Sequence, residues 1–147
     1  MVFFHWRSIM PEAGARNVFV YGTLRRGGRN DINRLTPAPR YVGMGEVQGS
    51  LYHMGWYPGL TLGGEEAVTV IGEVYEVSPQ LETVLDDIEE IVPGPDSEYF
   101  KREVQVDVAG RAVRCFLYEI NPARVRGRPA LSHGDWILFS QGEKGVS

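Results

Sequence analysis

Two short stretches of this sequence could do chemistry together. One is Tyr21-Gly22-Thr23-Leu24, where the apolar run 18–21 breaks into Gly-Thr. A buried strand that stops there leaves a tight loop. Gly22 is free to take backbone angles closed to other residues, and it has no side chain to hold a ligand off. Thr23 and the amides after it can then point N–H groups at an anion. The second stretch is Leu85-Asp86-Asp87-Ile88-Glu89-Glu90, the acidic end of an amphipathic segment. A carboxylate serves as a base near neutral pH only when it is partly withdrawn from water. On a helix, Glu89 follows Leu85 by one turn and borders the apolar stripe, whereas Glu90 faces the opposite, wet side. Glu82 is the other acid on that border. Most helical acids simply solvate a surface face, so the wheel marks Glu89 for burial without giving it a role.

The elements that must hold these residues are mostly strands. The helix is expected from Pro79 to about Ile91, with Ser78 as its cap and Pro79 at the first position, where a missing N–H costs nothing. Leu81, Val84, Leu85 and Ile88 form its apolar stripe, and Pro93-Gly94-Pro95 stops it. Strand patterns occupy 18–21, 41–47, 49–54 and 68–77, with a basic loop over 25–40 and a turn-rich stretch over 55–60. Gly72 inside the long strand points to a bulge or close packing. Val104, Val106 and Val108 alternate with polar residues, and Ala109-Gly110-Arg111 turns the chain into 112–120, a hairpin. The expected division is an N-terminal extension over 1–16, with Met10 as an alternative start, one domain over 17–140, and a loose polar tail over 141–147.

Composition narrows the function classes. A hydrophobic content of 43% supports a packed core. With 15 basic and 19 acidic residues the net charge is −4, which argues against a nucleic-acid partner. The clusters Arg25-Arg26-Arg29 and Arg124-Arg126-Arg128 read as solvated loops without aromatic stacking partners. Alternatively, Arg25 and Arg26 ring a pocket mouth. The single cysteine, Cys115, lies in an apolar run and is expected to be a buried, inert thiol in a reducing cytoplasm. Three scattered histidines give no metal-ligand spacing, and no segment reaches the length of a membrane span.

Taken together, these stretches resemble the gamma-glutamylcyclotransferase superfamily, on its branch of avirulence-induced-protein-like and gamma-glutamylamine cyclotransferase domains. The opening motif matches Tyr21-Gly22-Thr23-Leu24. A Gly-x-Leu-Tyr strand and a Gly-x-Tyr-Pro-Gly-Leu turn match Gly49-Ser50-Leu51-Tyr52 and Gly55-Trp56-Tyr57-Pro58-Gly59-Leu60. Gly-Glu-Val-Tyr matches Gly72 to Tyr75, and Leu-Asp-x-x-Glu matches Leu85 to Glu89. Ser132-His133-Gly134-Asp135-Trp136 matches a late Ser-x-Gly-Asp-Trp.

The resemblance implies an α+β fold, a small mixed β-barrel with flanking helices. It implies that Glu89 is the general acid/base, and that Tyr21, Gly22, Thr23, Leu24 and Tyr118 bind a small gamma-glutamyl substrate. The implied reaction closes the glutamyl group into 5-oxoproline and frees an amine, with the substrate's own α-nitrogen as nucleophile and no metal or cofactor. One departure stands out. The family's Tyr-x-Arg aligns with Phe100-Lys101-Arg102, and Tyr99 comes one position early. Either the loop slips by one residue or a pocket hydroxyl is missing. The competing expectation is a noncatalytic ligand-binding or interaction module on the same fold.

Overall fold

The protein is described by a computed structural model, which covers residues 14–146. Among these residues six strands carry the fold: β1 (Arg16–Val20), β2 (Arg40–His53), β3 (Pro58–Leu62), β4 (Val68–Val77), β5 (Tyr99–Val108) and β6 (Arg111–Ile120). Two helices, α1 (Pro79–Ile88) and α2 (Trp136–Val146), flank them. The hydrogen-bonded order is β3-β2-β4-β1-β6-β5, and β2 also pairs with β5 through Glu46 and Asp107. That last pairing closes five strands into a barrel, with β3 added along β2. Neighbours are antiparallel except β1 and β6, which run parallel at Val18 and Phe116. The expected small mixed barrel with flanking helices is therefore the observed fold.

So small a barrel must be filled by few side chains, and glycines make the room. Phe19 is 1% exposed. Gly45 of β2 and Gly72 of β4 pair directly across the ladder. A β-carbon on Gly72 would meet the Phe19 ring at 2.7 Å and the Val20 carbonyl at 2.3 Å; one on Gly45 would meet Val106 at 2.6 Å. Gly72 thus marks close packing, and the irregularity of register lies elsewhere, between Tyr41 and Gly43.

Outside the barrel, α1 covers β1, β4 and β6. Its start is capped as the sequence indicates: the Ser78 hydroxyl accepts the Leu81 N–H at 3.2 Å. Leu81 and Leu85 are fully buried among Val18, Tyr75, Val77 and Phe116, each stabilising the fold by about 1.5–3 kcal/mol relative to exposure. Several boundaries differ from the sequence reading. Helix α1 stops at Ile88 rather than at about Ile91, before Pro93 is reached, and β5 begins at Tyr99, ahead of the alternation at Val104. The two strands expected over 41–54 are one continuous β2, because Gly49 lies against the Thr61 carbonyl and keeps the ladder intact. The second half of the turn-rich stretch is the strand β3. Helix α2 continues past Gln141, where a loose polar tail was expected. The expected N-terminal extension lies outside the described residues up to position 13, and β1 already begins at Arg16.

Candidate functional site

A cavity of about 280 Å³ opens where the end of β1, the last turn of α1 and the starts of β3 and β5 converge. Tyr21, Gly22, Thr23 and Leu24 form one side of it, Glu89 another, and Tyr118 its wall. The two stretches singled out in the sequence, far apart along the chain, are brought together here.

The end of α1 places Glu89. The Ile91 N–H bonds back to the Asp86 carbonyl and the Glu90 N–H to the Asp87 carbonyl, both at 3.1 Å. This double bond-back is the usual way a helix stops before a left-handed residue, most often glycine. Here the left-handed position is held by Glu90, at φ 53°. The chain reverses so sharply that Glu89 stays over the core while Glu90 is exposed on the rim. Glu89 is half-buried by surface because the cavity opens above it, yet its carboxylate sits deep within the protein. Burial, followed by the nearby charge of Glu98, pushes its pKa from 4.5 up to about 7. Among the described residues no protein donor hydrogen-bonds this carboxylate. It can therefore hold or release a proton near neutrality.

Opposite lies the loop after β1. Its carbonyls turn inward and are taken: Gly22 by the Arg25 N–H at 3.0 Å, Thr23 by Asn30 at 2.9 Å and Leu24 by Ile32 at 2.9 Å. Among the described residues, the N–H groups of Gly22, Thr23 and Leu24 donate to no protein acceptor. That leaves a row of donors suited to a carboxylate. Gly22 is glycine for a different reason from the one expected. Its φ is not in the left-handed region, and a β-carbon would lie 2.6 Å from the Pro58 ring. Close approach of β3, without any unusual angle, already excludes a side chain there.

The cavity also contains residues that sequence reading missed. The Tyr99 hydroxyl donates to the Pro58 carbonyl at 2.8 Å, and the ring lines the cavity. No pocket hydroxyl is lost to Phe100, since Tyr99 supplies one from the preceding position. Tyr57 donates to Glu98 at 2.5 Å, and desolvation together with that bond moves its pKa up to about 12. Tyr57 and Pro58 could have been found, because they stand inside the Gly-x-Tyr-Pro-Gly-Leu turn; for Glu98 the only signal was its place beside Tyr99. At the mouth, the Arg29 guanidinium stacks on Trp56 at 4.4 Å.

Arg25 does not ring the pocket. It is 6% exposed and lies behind the loop, its Nε 2.8 Å from Glu73 and its Nη1 2.9 Å from Asp135. Glu73 also accepts the Arg26 N–H at 2.8 Å and the Tyr75 hydroxyl at 3.0 Å. The late Ser-x-Gly-Asp-Trp stretch thus works structurally. Gly134 packs within 2.1 Å (β-carbon position) of the Thr69 carbonyl, and Asp135 grips Arg25. Glu82, the other border acid, is taken by Arg16 at 3.3 Å and by Lys101, outside the cavity. Cys115 is buried as expected, and burial moves its thiol pKa up to about 12. Among the described residues, no His, Cys, Asp or Glu cluster could hold a metal, and no helix is long and apolar enough to cross a membrane.

Known proteins agree with this architecture. The family model described as "Gamma-glutamyl cyclotransferase, AIG2-like" matches residues 18–138. A protein of Halalkalibacterium halodurans, named as a putative gamma-glutamylcyclotransferase, is 30% identical over 99 residues, covering 67% of this chain and 86% of that one. The gamma-L-glutamyl-butirosin B gamma-glutamyl cyclotransferase of Niallia circulans is 40% identical over 97 residues, covering 64% of this chain and 60% of that protein's length. Among solved structures, an AIG2-like protein of Mus musculus superposes with a TM-score of 0.68 at 31% identity, covering 82% of this chain and 88% of the other.

Proposed function

The chain belongs to the AIG2-like gamma-glutamyl cyclotransferase family, and on that premise we propose that it converts a γ-glutamyl amide into 5-oxoproline and a free amine, with Glu89 as the proton carrier. The observation that carries this reading is Glu89: among the described residues no donor meets its carboxylate, its pKa is raised to about 7, and it lines one cavity with the equally unpaired backbone amides of Gly22, Thr23 and Leu24.

The steps balance without an enzyme nucleophile. The ionised Glu89 takes a proton from the substrate's α-ammonium, which frees the nitrogen lone pair. That nitrogen attacks the γ-carbonyl carbon and forms the new C–N bond of a five-membered ring. Glu89 then passes the proton to the departing nitrogen as the original amide C–N bond breaks, and the ring nitrogen gives up its second proton, by way of Glu89, to the freed amine, which leaves as an ammonium. The amides of Gly22, Thr23 and Leu24 hold the α-carboxylate, so the chain folds back with its nitrogen near the γ-carbon. Positioning of this kind lowers barriers by several kcal/mol, at most about 7–11.

A noncatalytic module on the same fold had its support in Phe100, and Tyr99 removes that support. The leaving amine belongs to a class that includes polyamines, lysine side chains, amino acids, glutathione-like peptides and biosynthetic intermediates, the last favoured by the Niallia circulans relative, which is named for gamma-L-glutamyl-butirosin B. The test is a panel of γ-glutamyl amines and peptides assayed for 5-oxoproline. Release of 5-oxoproline from at least one member supports the reading, and its absence across the panel with folded protein overturns it.

A further inference from the structure

Four tyrosines line the cavity, and the protein has already engaged the hydroxyl proton of each. Tyr21 donates to the Tyr118 carbonyl at 2.5 Å and Tyr99 to the Pro58 carbonyl at 2.8 Å. Tyr57 donates to Glu98 at 2.5 Å, and Tyr118 to Asp86 Oδ1 at 2.7 Å. A carbonyl oxygen has no hydrogen to give, so in the first two bonds the proton is the phenol's. Asp86 is an acceptor as well, because the Lys101 ammonium lies 3.1 Å from it. Lys101 is itself fixed, bonded to Glu82 and seated 4.6 Å above the Phe116 ring. Burial, and for Tyr118 the bond to Asp86, raises the pKa values of Tyr21, Tyr99 and Tyr118 well above that of a free phenol, so these groups keep their protons.

The consequence is directional. A phenol whose proton is spent on the protein turns lone pairs toward everything else it meets. Glu89 adds a carboxylate to the same side. The Tyr21 oxygen already accepts the Leu60 N–H at 3.3 Å, so the acceptors of this part of the cavity are those of Tyr57, Tyr99, Tyr118 and Glu89, while the loop of Gly22, Thr23 and Leu24 across from it is built of donors. An α-amino acid group brings both an N–H donor set and a carboxylate acceptor, and only one orientation satisfies both walls.

We infer that Asp86 is a positioning residue: by taking the Tyr118 proton it fixes the Tyr118 oxygen as an acceptor, and that oxygen receives an N–H of the ligand's α-amine beside Glu89. This rests on the functional reading above and assigns the two ends of the glutamyl group to the two walls. Lys101 keeps Asp86 in place, so the line runs Lys101, Asp86, Tyr118, ligand nitrogen. Asparagine at position 86 would be nearly isosteric but could donate its amide N–H to Tyr118. The phenol proton would then turn into the cavity and meet the ammonium head-on.

The test uses two probes on the full chain. L-γ-glutamyl-4-nitroanilide carries the α-amine and reports turnover by colour. Glutaric acid mono-4-nitroanilide lacks the amine, cannot cyclise and acts as a competitive inhibitor. Asp86→Asn is expected to raise KM for the first about 10-fold, the worth of one hydrogen bond to a charged group, with kcat little changed. The inhibition constant of the amine-free analogue should not move. Tyr118→Phe should show the same pattern, and adding Asp86→Asn to it should cost nothing more, since the two act through one oxygen. Three results overturn the inference: an unchanged KM in Asp86→Asn, an equal loss of affinity for the amine-free analogue, or additive losses in the double variant. A folded wild type that neither cleaves nor binds any γ-glutamyl amide of the panel removes the functional reading itself, and this inference with it.

Discussion

Glu73 on β4 and Glu89 at the end of α1 are the same residue type, both drawn out of bulk water, in surroundings that differ in one respect. Glu73 is 5% exposed and both of its oxygens are taken, by Arg25, by the Arg26 N–H and by Tyr75. Glu89 has no donor at all among the described residues and looks onto a cavity. A fully partnered carboxylate is held in place and serves as a strut. An unpartnered one is unstable as an anion, and its proton becomes available for exchange. The strut stands directly behind the donor loop, and the exchangeable group stands directly in front of it. Motif residues are spent on both. Gly-Glu-Val-Tyr and Ser-x-Gly-Asp-Trp supply the clamp, whereas Leu-Asp-x-x-Glu supplies the proposed base.

The comparison breaks most visibly at Glu89. Glu89→Gln keeps the shape and removes the proton carrier, so turnover should fall by about 10²–10⁴, or about 3–5 kcal/mol of barrier. Its stability should be no lower than wild type at pH 8. Steady-state assay and denaturant melts read both. An equal loss of turnover and stability would mean that Glu89 is a strut too.

Glu73→Gln is the converse. It leaves the buried Arg25 guanidinium with Asp135 and the Ile71 carbonyl, and the expected loss is about 3 kcal/mol of stability, the low end for a broken buried pair. Urea titration measures it. Turnover of the folded fraction should fall less than in Glu89→Gln, because the base is intact. A stable Glu73→Gln protein with no turnover would erase the distinction between the two glutamates.

Gly22→Ala tests where the clamp meets the site. The new β-carbon falls 2.6 Å from the Pro58 ring, and such overpacking costs about 1–3 kcal/mol. Both stability and substrate affinity should decline, because the ring and the donor loop must part. A variant that loses affinity at full stability would return Gly22 to the purely ligand-facing role read from sequence.

The smallest effect is expected at Glu90. Its φ of 53° is a conformation a side chain opposes, so Glu90→Gly should gain about 0.5–1 kcal/mol. A loss would show that the Glu90 side chain contributes something the helix stop does not account for.

How much of this could be read from the chain depends on whether the signal was local. The cap at Ser78, the stripe through Leu81 and Leu85 and the border position of Glu89 follow from helical spacing and were legible. So was the strand alternation that builds the barrel, and the family motifs supplied its closure. What stayed hidden was set by contacts between distant segments. Gly22 answers to Pro58, Arg25 to Glu73 and Asp135, and Tyr99 to the Pro58 carbonyl. No local pattern announces such pairs. Arg25 looked like a surface charge because its neighbours in sequence are basic and polar, while its neighbours in space are acids.

Glu89 is expected to exchange a proton near neutrality because no described residue donates to its buried carboxylate. Carbon-13 NMR titration of the Glu89 side-chain carboxyl tests that directly. Its pKa should be about 7 against an ordinary 4.5, raised by desolvation first and by Glu98 second. A raised folded value means the native state binds the extra proton, so stability is fully present below the unfolded pKa. It should decline as pH rises through that window, by at most about 3 kcal/mol, and level off above the folded pKa. The Glu89→Gln protein should lack this decline. A wild-type titration midpoint of about 7, with the matching loss of stability, is the predicted result. A midpoint near 4.5 with no such loss would contradict it and leave Glu89 an ordinary acid on the edge of a cavity.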